Sequence, residues 1–428
     1  MIAPHPASNL TPRLVFKSLF LFVCVLVLAS CARTGIPGAD PNPGTLPDDG
    51  MAATLAKAHV LMAMMSDDEL VGQVMMTGVH GTSEPSTTSQ AILVALKPGA
   101  VILFGYNIEP EPRLLASLSD GIRGAASVAG MPPFIAIDHE GGSVYRFKAG
   151  LTRLPSASIM GAAGEAAAQA AGDASGYELM ALGVTMNMAP VVEASSETNQ
   201  AFLSDRAWSN HPERAGRLAA VFLSACQAQG LAAVAKHYPG NAASDPHASL
   251  PVLDISQTEL EELYEEPFRQ AIAQGVSALM LSHAIVPVLD PGLPVSLSPK
   301  AIDRIKGKLG FKGIVMTDDL HMAALSGLGD SAVNALAALS SGADMLMISD
   351  ERLALELHAS LLGALRDGRL NRARLEDAVT RIMTQKLRFG LDADTDDERD
   401  SMLDALEDRV AEHRAALARA LGAPPRAP

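Results

Sequence analysis

Eight short runs of apolar and β-branched residues recur along the chain, and longer segments with helical periodicity separate them. Near-continuous apolar runs of this kind are typical of a parallel sheet that is buried on both faces. No glycine-rich dinucleotide fingerprint follows the first run, which argues against a dinucleotide-binding sheet. Eight strand–helix units in about 320 residues have the size of a (β/α)8 (TIM) barrel with insertions. The predicted strands lie at 74–79, 99–105, 134–140, 184–190, 231–240, 278–284, 313–320 and 343–349.

Polar and ionisable residues follow the apolar part of one predicted strand after another. In a barrel, such positions open onto the C-terminal face, which is where the active sites of this fold lie. A structural protein has no reason to gather titratable groups on one rim, so the pattern predicts an enzyme. The residues concerned are Asp138 and Glu140, Lys236 and His237, Ser282 and His283, and Asp318 and Asp319.

The composition excludes several other classes of protein. The net charge of the 428 residues is −15 and no basic run stands out, so we expect no nucleic-acid partner. Neither HExxH nor CxxC spacing occurs, so we expect no metal site, and no cofactor is implied. The body of the chain holds one cysteine, Cys226, and the composition does not indicate an oligomeric state.

The N-terminus has the pattern of an export signal. Arg13 and Lys17 precede an apolar run at 19–28, whose rise of about 15 Å as a helix is half of a bilayer core. A short apolar run behind basic residues predicts a secretory signal and not a membrane span. The following Leu-Ala-Ser-Cys resembles the bacterial lipobox, which predicts cleavage before Cys31 and lipidation of that residue. The alternative is an ordinary cleavage site with a cysteine there by chance.

These features predict four segments. Residues 1–30 form a signal peptide, and 31–50, rich in proline and glycine, form a flexible tether after the lipidated cysteine. Residues 51–392 form the barrel, and 393–428 form a charged C-terminal helix or tail. Several acyl chains on one cysteine anchor a protein stably, so we expect an exported lipoprotein attached to a membrane and facing the periplasm or the cell exterior.

Two short constellations could carry chemistry. Asp318 and Asp319 end a strand in tandem, and only one of them can face the barrel axis. Asp318 suits a nucleophile or a metal ligand, whereas Asp319 suits a helix cap. Asp245 and His247 flank a proline that favours an extended backbone, which would place a carboxylate beside an imidazole and tune it as a proton donor. A loop histidine near an acid by chance is the alternative.

Lys236, at the end of a predicted strand, leaves two chemical roles open. A lysine in that position could form a Schiff base with a carbonyl substrate, or it could donate hydrogen bonds to a polar substrate.

Five stretches, taken together, resemble glycoside hydrolase family 3, and specifically its bacterial β-N-acetylglucosaminidases, from about residue 66 to 391. KHYPG…DPH resembles the family's KHFPGHG…DSH, and IDHEGGSVYRF resembles IDQEGGRVQRF. GAVILFGYNI resembles GGVILFxRNI, MNMAPVVE…SDRAW resembles NxAPVxD…xxRSF, and LGFKGIVMTDDLHM resembles LGFxGVVxSDDLxM. The chain departs from these motifs at Ser143, Glu193 and Asn241-Ala242, and its KHYPG…DPH loop is two residues shorter.

The resemblance implies a (β/α)8 barrel of the single-domain branch, which lacks the second sandwich domain, and a retaining two-step hydrolysis. It implies that Asp318 is the nucleophile and that His247, oriented by Asp245, is the acid/base. A retaining site needs these groups about 5–5.5 Å apart. The resemblance also implies that the amino-sugar substrate is bound by a further set of rim residues: Asp138, Arg206, Lys236, His237 and His283.

The leading hypothesis is an exo-acting β-N-acetylglucosaminidase that works on peptidoglycan fragments or other amino-sugar glycans. One enzymatic alternative is a phosphorylase, because a histidine acid/base repels an incoming phosphate less than a carboxylate does. A β-glucosidase on the same barrel is another. A catalytically inactive glycan-binding lipoprotein is the alternative outside enzymes.

Overall fold

The computed structural model describes Met1 and residues 48–244, 249–393 and 396–422. Apart from Met1, the predicted signal peptide lies outside the described residues, as do the lipidation residue Cys31 and the pair Asp245 and His247.

Eight parallel strands close into a barrel in the order β1-β8-β7-β6-β5-β4-β3-β2, which confirms the predicted (β/α)8 fold. Every strand falls within one of the eight predicted runs. Neighbours in sequence are also neighbours in the sheet, as the register of Met76 with Ala100 between the first two strands illustrates. The strands are β1 (Met75–Gly78), β2 (Ala100–Leu103), β3 (Phe134–Ile137), β4 (Met186–Asn187), β5 (Ala232–Tyr238), β6 (Ala278–Leu281), β7 (Ile314–Asp319) and β8 (Met345–Ile348).

Helices surround the barrel, and several begin at a serine, aspartate or asparagine whose side chain accepts a backbone N–H of the first turn. Ser66, for example, forms a reciprocal capping box with Glu69. The helices are α1 (Asp48–Ala63), α2 (Asp67–Gln73), α3 (Thr87–Leu96), α4 (Pro112–Ala126), α5 (Ala157–Ala163), α6 (Glu165–Ala181), α7 (Gln200–Leu203), α8 (Pro212–Ala228), α9 (Gln257–Glu259), α10 (Glu266–Ala273), α11 (Pro299–Asp303), α12 (Ser331–Ser340), α13 (Glu351–Arg366), α14 (Arg372–Arg388), α15 (Asp396–Asp404) and α16 (Leu406–Ala420).

Shorter elements complete the described chain. Two antiparallel ribbons pair His139–Gly141 with Val144–Tyr145 and Ile285–Val286 with Asp290–Pro294, after β3 and β6 respectively. Single 3₁₀ turns lie at Gly105–Asn107, Val295–Leu297 and Ala323–Leu325, and π-helical turns lie at Leu260–Tyr264 and Arg304–Lys308.

The barrel strands are buried on both faces, which explains why their sequences read as apolar runs. Every residue of β1, β2, β3, β6 and β8 is buried. Strand β7 differs, because its last two residues, Asp318 and Asp319, are only half-buried. The position of these carboxylates at the end of an otherwise apolar strand indicates that the functional site lies on the C-terminal face.

The C-terminal helix α16 packs against the barrel and does not extend into solvent. Leu406, Val410 and Leu417 are buried, and α16 lies against α6. The Nδ1 atom of His413 lies 2.8 Å from Oε1 of the buried Glu178 on α6. Among the described helices, none combines the length and the apolar character needed to cross a bilayer.

Candidate active site

A network of opposite charges spans the ends of β3 and β5. Lys236, at the end of β5, donates to Asp138 Oδ1 at 2.7 Å and lies 2.8 Å from Glu140 Oε1. Arg206, in the loop before α8, donates to both carboxylate oxygens of Glu140, at 2.8 and 2.9 Å. Arg146 donates to Asp138 Oδ2 at 3.1 Å. Two carboxylates and three cations therefore hold one another at one edge of the barrel.

Both carboxylates of the network are ionised over the ordinary pH range. Burial raises the pKa of Asp138, but the charges of Lys236 and Arg146 outweigh burial, and the pKa falls from 3.8 to about 2. For Glu140, burial again raises the pKa, while Lys236 and Arg206 lower it from 4.5 to about 2. Removing one partner of such a buried network leaves an uncompensated charge, which is strongly destabilising.

Lys236 is held in its protonated form. Burial lowers the pKa of this lysine, but the charges of Asp138 and Glu140 outweigh burial and raise it above 10.5. A Schiff base requires a deprotonated amine. The geometry therefore favours the second of the two roles that the sequence left open, in which the ammonium donates hydrogen bonds.

Three of the residues predicted from the sequence to bind substrate, Asp138, Arg206 and Lys236, thus meet in one cluster. Glu140 and Arg146 belong to the same cluster, although the sequence did not predict them as substrate contacts. Both lie in IDHEGGSVYRF, the motif that contains Asp138, and Glu140 also belongs to the polar rim pattern. Their place in the same motif as Asp138 is the sequence signal that could have indicated them as members of the cluster.

His237 is fixed from behind by the buried Glu193. Its Nδ1 atom lies 2.8 Å from Glu193 Oε1, and its backbone N–H donates to the same oxygen at 3.2 Å. Burial raises the pKa of Glu193, but the hydrogen bond from His237 and further donors outweigh burial and lower it. Because an ionised carboxylate only accepts, Nδ1 carries the proton, and Nε2 is the ring atom left to face another group.

Glu193 also holds the start of the loop that leads to Asp245 and His247. The backbone N–H of Asn241 donates to Glu193 Oε2 at 2.7 Å, and its side-chain amide donates to Oε1 at 2.9 Å. One carboxylate thus binds both the end of β5, at His237, and the early part of the loop, at Asn241. The far end of the loop is tied down as well, because Pro251 accepts a hydrogen bond from Ile285 N at 2.9 Å.

His283, predicted as a substrate contact, has protein partners at both ring nitrogens. Nδ1 lies 2.7 Å from Ser296 Oγ, and Nε2 lies 3.1 Å from the backbone oxygen of Asp319. Since a carbonyl oxygen only accepts, Nε2 carries the proton and the serine hydroxyl donates to Nδ1 in the neutral ring. Burial lowers the pKa of His283, despite opposing contributions from Asp318 and Asp319. The ring supports the end of β7.

The two carboxylates that end β7 differ in their contacts. Asp319 Oδ1 accepts from His321 N at 3.1 Å and from Ser349 N at 3.2 Å, so it closes the turn after the strand. Asp318 Oδ1 accepts from Asp319 N at 2.8 Å. Asp319 therefore has the capping role considered for it, although in a turn and not at a helix. Asp318 is the half-buried carboxylate that remains for chemistry.

Electrostatic contacts join these groups into one site. His283 is close enough to Asp318 and His237 for both charges to influence its pKa. Arg206 in turn interacts with Glu193 and Asp138 as well as with Glu140. A half-buried carboxylate thus shares the C-terminal face with a dense set of donors and acceptors. Such a set is suited to a ligand with many hydroxyl groups.

Residues 66–385 match the family model of the glycosyl hydrolase family 3 N terminal domain. The match covers more than half of the chain, and the chain belongs to this family of barrel hydrolases. A β-hexosaminidase from Methylococcus capsulatus is 36% identical over 308 residues, which are 69% of this chain and 86% of that protein.

Two solved structures place the fold among the same relatives. The family 3 β-N-acetylglucosaminidase of Paenibacillus sp. FPU-7 has a TM-score of 0.71 at 31% identity, and the match covers 82% of this chain and 69% of that one. NagZ from Neisseria gonorrhoeae, solved with N-trifluoroacetyl-D-glucosamine, has a TM-score of 0.66 at 25% identity and covers 82% of this chain and 97% of that one.

Proposed function

We propose that the protein is a retaining, exo-acting β-N-acetylglucosaminidase that removes terminal β-linked N-acetylglucosamine from amino-sugar glycans. The observation that carries the proposal is the half-buried Asp318 on the same barrel face as the network of Asp138, Glu140, Arg206 and Lys236. The names of the family relatives, β-hexosaminidase and β-N-acetylglucosaminidase, support the choice of sugar.

In this proposal, the charged network binds the hydroxyl groups of the terminal sugar. Lys236 and Arg206 are donors that cannot lose their charge near neutral pH, and Asp138 is an ionised acceptor. His237 presents Nε2 to the sugar because Glu193 holds its other nitrogen. Groups that are already oriented by their protein partners lose little conformational freedom on binding.

The reaction proceeds in two steps. A carboxylate oxygen of Asp318 attacks the anomeric carbon, the bond to the leaving-group oxygen breaks, and His247 gives that oxygen its proton. Water then attacks the same carbon, His247 takes a proton from it, and the bond to Asp318 breaks to release the sugar with its configuration retained. Asp245 orients the imidazole of His247. The contacts of His283 and Asp319 support the position of the nucleophile at the end of β7.

Release of a chromophore from an aryl β-N-acetylglucosaminide tests the reaction and the nucleophile together. The purified protein and Asp318→Asn are compared, with Asp319→Asn as the matched control. The control preserves Oδ1, which is the atom that accepts both turn hydrogen bonds. We expect Asp318→Asn to lose at least about a thousandfold in kcat and Asp319→Asn to retain most of its activity.

An aryl β-glucoside serves as the substrate control. Hydrolysis of the glucoside at a comparable rate would contradict the N-acetyl requirement. Activity of Asp318→Asn within tenfold of the unchanged protein would contradict the assignment of the nucleophile.

The membrane location is a second, separate part of the proposal. The Leu-Ala-Ser-Cys sequence that ends at Cys31, together with the tether after it, supports an exported lipoprotein. An outward-facing enzyme of this specificity would meet peptidoglycan fragments, whose glycan strands contain β-linked N-acetylglucosamine.

Fractionation of bacterial cells tests this location. We expect the full-length protein in the membrane pellet after a high-salt wash and labelled by radioactive palmitate. The Cys31→Ala variant should lose both the label and the membrane association. Salt-resistant membrane association of that variant would contradict the lipid anchor.

A further inference from the structure

Three aromatic rings lie in a row where the chain leaves β1 and β2 at the C-terminal face. The rings of Phe104 and Tyr106 are 5.7 Å apart between centroids with an interplanar angle of 27°, and those of Tyr106 and His80 are 5.4 Å apart with 19°. These distances and small angles are those of offset stacks, in which part of each ring face remains uncovered. Tyr106 is 53% exposed, and the His80 side chain is 65% exposed.

The backbone that carries these rings is held rigidly by one buried side chain. The Asn107 side-chain amide donates to Val79 O at 3.1 Å and to Gly81 O at 2.8 Å, on either side of His80. Its Oδ1 accepts from the backbone N–H of Phe104 at 2.9 Å. Asn107 therefore ties together the two loops from which the rings project, so the protein's own hydrogen bonds set the backbone position of the row.

Direct contacts connect this row to the strand that carries the nucleophile. Gly78 ends β1 with Phe104 beside it. A β-carbon on Gly78 would lie 3.4 Å from the edge of the Phe104 ring and 2.4 Å from the backbone oxygen of Ser349. The N–H of Ser349 in turn donates to Asp319, the neighbour of Asp318. Two residues, Gly78 and Ser349, therefore lie between the first ring and the end of β7, on the same barrel face.

Two acidic residues, Glu351 and Asp350, lie close to the rings. Glu351 Oε1 lies 3.3 Å from His80 Nδ1, and Oε2 is enclosed, without a hydrogen-bond partner among the described residues. Asp350 Oδ1 caps α13 by accepting from the backbone N–H groups of Arg352 and Leu353. This rim therefore offers to solvent the ring surface of Tyr106 and His80, with Asp350 as the exposed carboxylate beside it. Ring surface stacks on the apolar face of a pyranose.

We propose that Phe104, Tyr106 and His80 form a stacking platform for the leaving-group sugar, the residue on the other side of the bond that Asp318 attacks. Tyr106 is its central contact. This role rests on the proposed glycosidase function, because that function identifies which sugar lies beyond the nucleophile. A preformed aromatic surface loses little entropy on binding and selects substrates whose leaving group is itself a sugar.

The test compares two substrates that share N-acetylglucosamine and differ in the leaving group. The disaccharide N,N′-diacetylchitobiose has a sugar as leaving group, whereas N-acetyl-β-glucosaminyl fluoride has a single atom that cannot stack. We expect Tyr106→Ala to lower kcat/KM for the disaccharide by about tenfold and to leave the fluoride within about twofold. Tyr106→Phe keeps the ring and should behave as the unchanged protein on both substrates.

An equal loss on both substrates, or no loss on either, would overturn the platform while leaving the glycosidase function standing. If the unchanged protein hydrolyses neither substrate, the proposed function has failed, and calorimetric titration with the disaccharide tests the platform by itself. Weaker binding by Tyr106→Ala than by Tyr106→Phe would then support the platform. Equal binding by the two variants would refute it.

Discussion

A lysine without exposure to solvent, Lys386, allows a prediction about stability whose size can be worked out. Its side chain lies on α14 with 0% of its surface exposed, and Nζ donates to Gln73 Oε1 at 2.8 Å. Burial lowers the pKa of Lys386 from 10.5 to about 7. Replacement by methionine, which has a similar length and no charge, should therefore stabilise the fold near neutral pH.

The magnitude follows from the size of the pKa shift. One pKa unit corresponds to about 1.4 kcal/mol, so a fall from 10.5 to about 7 corresponds to a cost on the order of 5 kcal/mol for burying the charged form. The substitution also removes the donor of Gln73, and an unsatisfied amide costs about 1–3 kcal/mol. We expect Lys386→Met to raise the free energy of unfolding by about 2 kcal/mol at pH 7.

The pH dependence is the more specific signature. Between the folded pKa of about 7 and the unfolded value of 10.5, the unfolded state binds more protons than the folded state. The stability of the unchanged protein should therefore rise with pH in this window, by up to about 1.4 kcal/mol per pH unit from this group. The advantage of Lys386→Met should be largest at pH 6–7 and should shrink towards pH 9.

Urea unfolding at pH 6, 7, 8 and 9 measures both quantities. Lys312→Met, at an exposed position, is the matched control and should follow the unchanged protein throughout. A difference between Lys386→Met and the unchanged protein that stays constant from pH 6 to pH 9 would refute the reasoning.

Three further predictions concern the candidate site. Glu140→Gln weakens the two-point pairing with Arg206 and should lower kcat/KM by about a hundredfold, measured on an aryl β-N-acetylglucosaminide with circular dichroism as a check of folding. Because the pKa of Glu140 falls from 4.5 to about 2 in the folded protein, the ionised Glu140 should contribute fully to stability above about pH 4.5, and this contribution should be lost as the pH falls through 2. Thermal unfolding across pH 2–6 measures this loss. Glu193→Gln keeps the volume of the side chain but removes the charge that orients His237, and it should lower kcat/KM by about tenfold. If both the rate and the pH–rate profile of this variant are unchanged, Glu193 has no positioning role.

The sequence alone was sufficient to predict the barrel, since strand positions depend on local composition. A strand buried on both faces is apolar along most of its length, and each of the eight strands falls within an apolar run of the sequence. The same local logic identified the polar residues at the C-terminal ends of the strands, including Asp138, Lys236 and Asp318, because these ends share one face of the barrel.

Only the tertiary structure decided how these residues are paired. Glu140 and Arg206 are 66 positions apart in the sequence. Only the folding of the barrel brings them close enough for Arg206 to donate two hydrogen bonds to the carboxylate. The chain also could not indicate that Lys236 is held between two carboxylates, which favours the role of a charged hydrogen-bond donor.

The same holds for the contacts that surround the network. Glu193 binds His237 and Asn241 from 44 and 48 positions away, and both nitrogens of His283 have protein partners. Whether a segment is a buried strand or a surface helix is visible in its local pattern of apolar and polar residues. The sequence alone therefore determined the fold and the rim on which the site lies. Hydrogen bonds and ion pairs act within about 3 Å in space. Their partners are therefore set by how the strands and loops are brought together, and the charge state and orientation of each rim residue were decided by the folded structure.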